Sequence, residues 1–459
     1  MRVKGCDGMT EKIKINKKNK KYYKKISEDI KNHFFNPDSF KGIILKAISN
    51  LDGIVNSAKM FLPLALKEEA KSIEKLREDA QNMIQKLTKL KENKDLTREV
   101  FFKTLYKVEK FKDNFQRIKN TSTSKILINS YFFNIFSIFD IFLGDLLYRI
   151  YSKKINLLKS SEKKISYENI LEFNSIKKLR DSLIEIELDK FIRESNLDKF
   201  KILEDKFNIK LRDFKDWNSF IECSQRRNIL IHCDGKVTKQ YYNNCKQYEI
   251  TPENIKVGDK LVIDEKYLYK SLDIISEVVF ILGQTLWRKL FVEELEEADE
   301  YLIEYQYELL ILERWALCEK IGEYAFNLPR VTSDAHKRIM IINYCGALKF
   351  GNKPKHAIKI LQGMDWSSCL DDLKLAKFVL LEEYEEAFEL CRKIGKDGEY
   401  ISKKAYLEWP IFRDFRKQDK LKEIFFEIYN EKLDEQISDN LEENIKLEIK
   451  QIKEENVKL

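Results

Sequence analysis

Glycine and proline are scarce in this chain, with 14 and 6 among 459 residues, well below average usage. A sequence so poor in turn formers and helix breakers cannot supply the closely spaced turns of a β-sandwich or barrel. It is expected to be all-α, with at most a small β-hairpin. Histidine is rarer still, with four copies. The eight cysteines include no C-x-x-C pair and none with a histidine at zinc-finger spacing, so neither a disulfide scaffold nor a zinc finger is indicated and reduced thiols are expected. G-x-x-x-x-G-K-[ST], G-x-G-x-x-G and H-E-x-x-H are all missing, which argues against nucleotide hydrolysis, dinucleotide binding and zinc proteolysis. Long apolar runs are lacking too. The greasiest, from Tyr131 to Leu147, is interrupted by Asn134, Asp140 and Asp145, and no signal-peptide core follows the basic N-terminus. A soluble, cytoplasmic protein without a membrane partner is the expectation.

What the chain has in quantity is charge: 84 Lys and Arg against 76 Asp and Glu, a formal net charge of +8. Modest basicity suits a phosphate-bearing partner without requiring one. Lysine dominates Lys12 to Lys25, as in a solvated arm.

Hydrophobic periodicity divides the remainder into three regions. In 1–120, Ile73, Leu76, Ala80, Met83, Leu87 and Leu90 alternate at spacings of three and four, a coiled-coil-like seam. A polar turn at Lys91 to Asp95 then lets Val100 to Ile118 fold back as an antiparallel hairpin. Region 121–292 opens on the polar cluster Asn120 to Ser124, a set of helix-capping residues. The helix that follows is apolar nearly all round and must be buried on several sides. One narrow line on it, Asn134, Ser137, Asp140 and Gly144, fits either close helix packing around a satisfied carboxylate or a face turned toward a reactive site. Further helices are expected from about 169 to 194, from Asp216 as N-cap to Cys233 with Gly235 past the end, and from Tyr267 to Phe291. Val257 to Asp264 reads as extended, paired with Val237 to Tyr242.

Region 293–459 changes texture to short helices. Ala347 to Ala357 and Ala376 to Ala387 each set small residues on both sides of a helix-helix turn, about thirty residues apart. The segment resembles tetratricopeptide repeats, with Trp409 to Arg416 and Leu421 to Phe425 resembling closing helices.

The residues that point to chemistry lie in Ser-Gln-Arg-Arg-Asn-Ile-Leu-Ile-His-Cys-Asp-Gly, Ser224 to Gly235. On a helix Asn228 sits one turn before His232 on the same face, and Arg227 lies beside them with reach to converge. An imidazole that takes and gives a proton near neutral pH, next to a guanidinium that neutralises a five-coordinate phosphate, is a minimal set for cleaving RNA without a metal. Arg330 and His336 form a near-match, but they straddle an expected loop in the repeat region.

Arg226-Arg227-Asn228-x-x-x-His232-x-Asp234-Gly235, followed by Tyr241 or Tyr242 and a buried closing helix, resembles the signature of the HEPN superfamily over roughly residues 121–291. The resemblance implies a helical bundle that forms a homodimer with a composite ribonuclease site and needs no metal or cofactor. It implies His232 as general acid/base, Arg227 as phosphate stabiliser and Asn228 as the residue orienting phosphate or histidine. Arg226 would bind flanking phosphate, and Asp140 would orient a motif residue. The expected function is an endoribonuclease of the toxin or abortive-infection type, restrained by its repeat region or by a protein regulator or antitoxin bound there. The alternative is a non-catalytic scaffold that dimerises through the bundle and binds a partner through the repeats.

Overall fold

A computed structural model describes residues 36–92, 97–120, 122–158, 173, 175–248 and 255–434. The basic stretch before residue 36 and the charged segment after 434 lie outside the described residues, as do 93–95 of the expected turn. The described residues are all-α. They hold no strand, only one isolated antiparallel bridge between Lys236 and Lys260.

Ser39 starts α1 (Phe40–Glu92), its hydroxyl accepting from Gly42 N at 3.0 Å. The same turn brings Asn36 O within 2.3 Å of where a Cβ on Gly42 would stand, so this position needs glycine. From Phe40 to Leu62 one face of α1 is fully buried, and beyond Ala65 the helix becomes exposed. Pro63, which removes one intrahelical hydrogen bond, sits where the helix leaves the core. The hairpin expected across the polar turn is present as the end of α1 and α2 (Arg98–Asn120). Its seam is only partly covered: Leu76, Ala80 and Met83 are half-buried, whereas Ile73 and Leu87 are exposed.

The capping cluster acts as its composition predicts. Ser122 accepts from Lys125 N at the start of α3 (Thr123–Lys153), and Glu69 of α1 adds a carboxylate that takes Ser124 N at 2.7 Å and Ser124 Oγ at 2.8 Å. By length and composition α3 could cross a membrane. Thirteen of its residues are instead buried inside this fold, against α1, α4 (Ile176–Ile192) and α8 (Glu265–Leu290). Between α4 and α8 run α5 (Asn196–Phe207), α6 (Trp217–His232) and α7 (Lys239–Gln247). Phe139 of α3 meets Phe220 of α6 edge-on at 5.4 Å, and Phe200 of α5 joins them.

Two expectations need correction here. The stretch 239–247 is helix, not strand, because Thr238 caps it by accepting from Tyr241 N at 3.1 Å; the extended pairing shrinks to the single bridge. Asp216 occupies the N-cap position of α6 but makes no capping hydrogen bond, because its carboxylate is held by Lys320 of α10 (Trp315–Phe326).

Past residue 292 come helical hairpins. α9 (Leu295–Ile311) pairs with α10, α11 (Asp334–Phe350) with α12 (Pro354–Gln362), and α13 (Asp371–Leu381) with α14 (Tyr384–Ile394). Ala347, Ala357, Ala376 and Ala387, the small residues flanking the last two turns, are all buried at helix contacts. The short α15 (Lys403–Glu408) and the longer α16 (Asp419–Tyr429) follow, and Phe412, Phe415, Leu421 and Phe425 close the second core.

The larger core runs across both expected boundaries at 120 and 292, while the second stays past 292. The larger one joins the first half of α1, α3 to α6 and α8 to buried residues of α9 and α10, including Tyr301, Tyr305, Leu317 and Ile321. A helix as apolar as α3 needs cover on every side, and α1 supplies the side that 121–292 lacks. Arg314 ties the same junction electrostatically, reaching Asp52 of α1 at 2.6 Å and Asp273 of α8 at 2.7 Å.

Candidate active site

The Arg-Arg-Asn-x-x-x-His run forms the C-terminal half of α6. Successive residues on a helix point about 100° apart, and this alone separates the two arginines. Arg226 turns inward and is only 9% exposed. Its Nε donates to Glu222 Oε1 at 2.7 Å, and its guanidinium lies 4.0 Å from the ring centroid of Tyr267. Glu222 also accepts from Tyr241 Oη at 2.7 Å and from Tyr267 Oη. Burial and the neighbouring Glu222 push both tyrosine hydroxyls up from their ordinary range, so they stay protonated and donate. This is a satisfied buried ionic cluster, and it removes Arg226 from the surface where a flanking phosphate would bind.

Arg227 and Asn228 lie half-buried, with Arg227 Nη1 donating to Asn228 Oδ1 at 3.1 Å. His232 is exposed on the last turn, and Ile231 beside it is 43% exposed. Arg227 Nε is buried with no hydrogen-bond partner among the described residues. Helix spacing thus presents Arg227, Asn228 and His232 on the outer side of α6.

The end of α6 is shaped by its Asp-Gly exit. Asp234 and Gly235 both take positive φ, 48° and 76°, and Gly235 N returns to Ile229 O at 2.9 Å. A Cβ on Gly235 would stand 2.5 Å from Leu261 O, so the close approach of 259–261 requires glycine. Leu261 N donates to Gly235 O at 2.8 Å and Val237 N to Asp259 O at 2.8 Å. A small apolar cluster of Ile229, Val237, Tyr241, Cys245 and Leu261 packs beneath. Lys236 and Lys260 face each other across the bridge, both exposed. Lys260 Nζ contacts Asp234 Oδ2 at 2.5 Å, and that hydrogen bond, with the charge of Lys125 from α3, holds the Asp234 carboxyl below the usual range. The exposed face at the end of α6 is therefore edged by cations.

Asp140 is elsewhere. It accepts from Lys199 Nζ at 2.7 Å, which makes it the satisfied carboxylate of the two readings of its helix face. Its neighbour Phe139 packs on Phe220, twelve residues before His232 and about 18 Å along the helix at 1.5 Å per residue. The charge of Lys125, near the start of α3, acts on Asp234 just past α6, so the end of the motif lies near the beginning of α3.

Of the residues that hold the motif helix, Tyr241 was named in the sequence only as one of two tyrosines following the motif, and Glu222 and Tyr267 were given no role. Glu222 carried a readable signal, a carboxylate four residues before Arg226. Tyr267 carried none, because only tertiary folding brings a residue 45 positions from Glu222 beneath it. The seven described cysteines are all free, five of them buried. No family model matches the chain, and neither a curated protein nor a solved structure matches it.

Proposed function

We propose that this protein is a metal-independent endoribonuclease of the HEPN type. The observation that supports it is the division of the motif: Arg226 anchors α6 from inside while Arg227, Asn228 and His232 are offered on its outer face. In the proposed reaction His232 takes the proton of a 2′-hydroxyl as that oxygen attacks the adjacent phosphorus. Arg227 neutralises the extra negative charge of the five-coordinate phosphate, and Asn228, bonded to Arg227, holds its orientation. The phosphorus–O5′ bond breaks, a proton passes to the leaving O5′, and the products carry a 2′,3′-cyclic phosphate and a 5′-hydroxyl. Each chain brings one motif histidine, so the second proton transfer belongs to His232 of another copy. The exposed Ile231 offers an apolar contact for that dimer. Lys236 and Lys260 replace Arg226 as the cations for flanking phosphates. An RNase of this kind acts as a toxin or abortive-infection effector in the cytoplasm, with the helical hairpins past residue 292, read as tetratricopeptide-like, holding it in check or binding a regulator or antitoxin.

The test is cleavage of a mixed RNA pool in EDTA by wild type, Arg227→Ala and His232→Ala, with product ends mapped. Loss of a general acid/base costs about 10²- to 10⁴-fold in rate, and His232 is exposed, so melting of His232→Ala should stay unchanged. Equal cleavage by all three proteins sinks the proposal. The alternative, a scaffold without chemistry, expects no cutting by any of them and a protein partner that binds the C-terminal hairpins.

A further inference from the structure

A cleft of about 800 Å³ opens where the α5–α6 connection, α8 and α10 meet. That volume lies within the roughly 300–1,000 Å³ typical of small-molecule sites. We propose that this cleft binds a small ligand with an anionic head and an apolar body. The proposal does not rest on the ribonuclease reading, since none of the motif residues lines the cleft.

The apolar part of the wall is built by Leu211, Phe214, Ile281, Leu295 and Leu328. Among the charged lining residues six are basic and three acidic. Lys210, Lys215, Lys289 and Arg330 stand exposed on the rim, while Arg288 and Lys320 lie deeper. The side chain of Arg288 is only 8% exposed. Its Nε donates to Gln284 at 2.9 Å and its Nη2 lies 2.7 Å from Asp299 Oδ1. Nη1 and Nη2 are both buried, and neither makes a hydrogen bond among the described residues, the Nη2–Asp299 contact being an ion pair by distance alone. The Arg288 side chain lines the cleft, and its delocalised charge, only partly offset by Asp299, favours an anionic head there.

The acidic residue at the base does not oppose this. Glu277 is 1% exposed, and burial pushes its carboxyl up to about 8, although Lys320 at 3.1 Å works against the shift and Asp216 reinforces it. Burial works against ionisation of Asp216 too, but there the hydrogen bond and charge of Lys320 prevail and hold the carboxyl below its usual range. Lys320 and Asp216 therefore form the ion pair, and Glu277 stays neutral at pH 7. The base of the cleft then carries no uncompensated negative charge.

The walls come from both sides of residue 292, so an occupied cleft clamps the bundle against the first helical hairpin. A ligand that binds only the folded state raises the melting temperature by mass action.

The probe is 8-anilinonaphthalene-1-sulfonate, titrated into the full-length protein by fluorescence and calorimetry, beside its uncharged analogue N-phenyl-1-naphthylamine. Expected are saturable binding of one sulfonate probe per chain, a raised melting temperature, and affinity at least tenfold weaker for the uncharged probe. Ile281→Trp, which fills the cleft, and Lys289→Glu, which reverses charge on its rim, should each weaken the sulfonate probe at least tenfold. Should Ile281→Trp fail to fold, Lys210→Glu on the exposed rim supplies a second charge reversal. Another cleft, of about 1,190 Å³, lies along the α1–α2 hairpin and includes Leu64, so Leu64→Glu is the control and should change nothing. Equal affinity for charged and uncharged probes, loss on Leu64→Glu instead, or no saturable binding would each overturn the proposal.

Discussion

Arg226 and Arg227 are adjacent, chemically identical and opposite in fate. One is buried beneath Tyr267 and paired with Glu222; the other lies on the outer face beside Asn228. The 100° step of the helix decides between them, and only knowledge of which side faces the core could have told which arginine was which. That Arg227, Asn228 and His232 share one helix was legible because they are local in sequence. The roles given to Arg226 and Asp140 fail because other partners bind them, Glu222 one helical turn before Arg226 and Lys199, 59 residues away in sequence, at Asp140. A test follows at this scale. Glu222→Ala leaves a buried guanidinium and two buried hydroxyls without their shared acceptor, so it should destabilise by about 3–5 kcal/mol, the range for breaking a buried ion pair from one side. Urea denaturation measures this directly. A loss below about 1 kcal/mol would mean that water already reaches the cluster.

Among the elements, helices were legible wherever apolar spacing was strong, as in the second half of α1, in α3 and in α8, while the first half of α1 went unread. The exception was the stretch after Gly235. There Val237 and Tyr242 suggested a strand, but the Thr238 cap turned the chain into α7 and left one bridge. The scarcity of glycine has its own consequence at the turns. Glu313, between α9 and α10, takes φ 54°, Asn352, between α11 and α12, takes 63°, and Glu382, between α13 and α14, takes 63°. A side chain in that left-handed region costs about 1–2 kcal/mol, while glycine pays part of this back in unfolded-chain entropy, about 0.5–1 kcal/mol. Glu313 contacts Arg413 only at 3.7 Å with both side chains exposed, an interaction near zero in worth. Glu313→Gly is therefore expected to stabilise by about 0.5–1 kcal/mol, read as a rise in the denaturation midpoint at unchanged slope. A fall would show that the Arg413 contact outweighs the backbone strain.

At the scale of the molecule, one large core crosses the expected boundaries at 120 and 292, while a second lies wholly past 292. Phe40, Ile44, Leu51 and Leu62 of α1 belong to the same core as Phe132 and Phe142 of α3 and Trp287 of α8, and Phe40 stacks on Trp287 at 5.5 Å. A fragment of residues 121–292 would expose that face and lose the Arg314 links to Asp52 and Asp273. It should not melt cooperatively, whereas a fragment of residues 36–434 should. Circular dichroism during thermal unfolding distinguishes the two, and a sharp transition in 121–292 would show that the bundle closes without α1.

The sequence by itself determined the all-α class, most helix spans, the capped start of α3 and the placement of Arg227, Asn228 and His232 on one helix, because each depends on residues within one or two helical turns. Which arginine faces the core, where Asp140 and Asp216 find their cations, how far the core extends and where the cleft opens were decided by the tertiary structure. These depend on side chains far apart in the chain that meet only when desolvation favours pairing, and neither periodicity nor spacing carries that information.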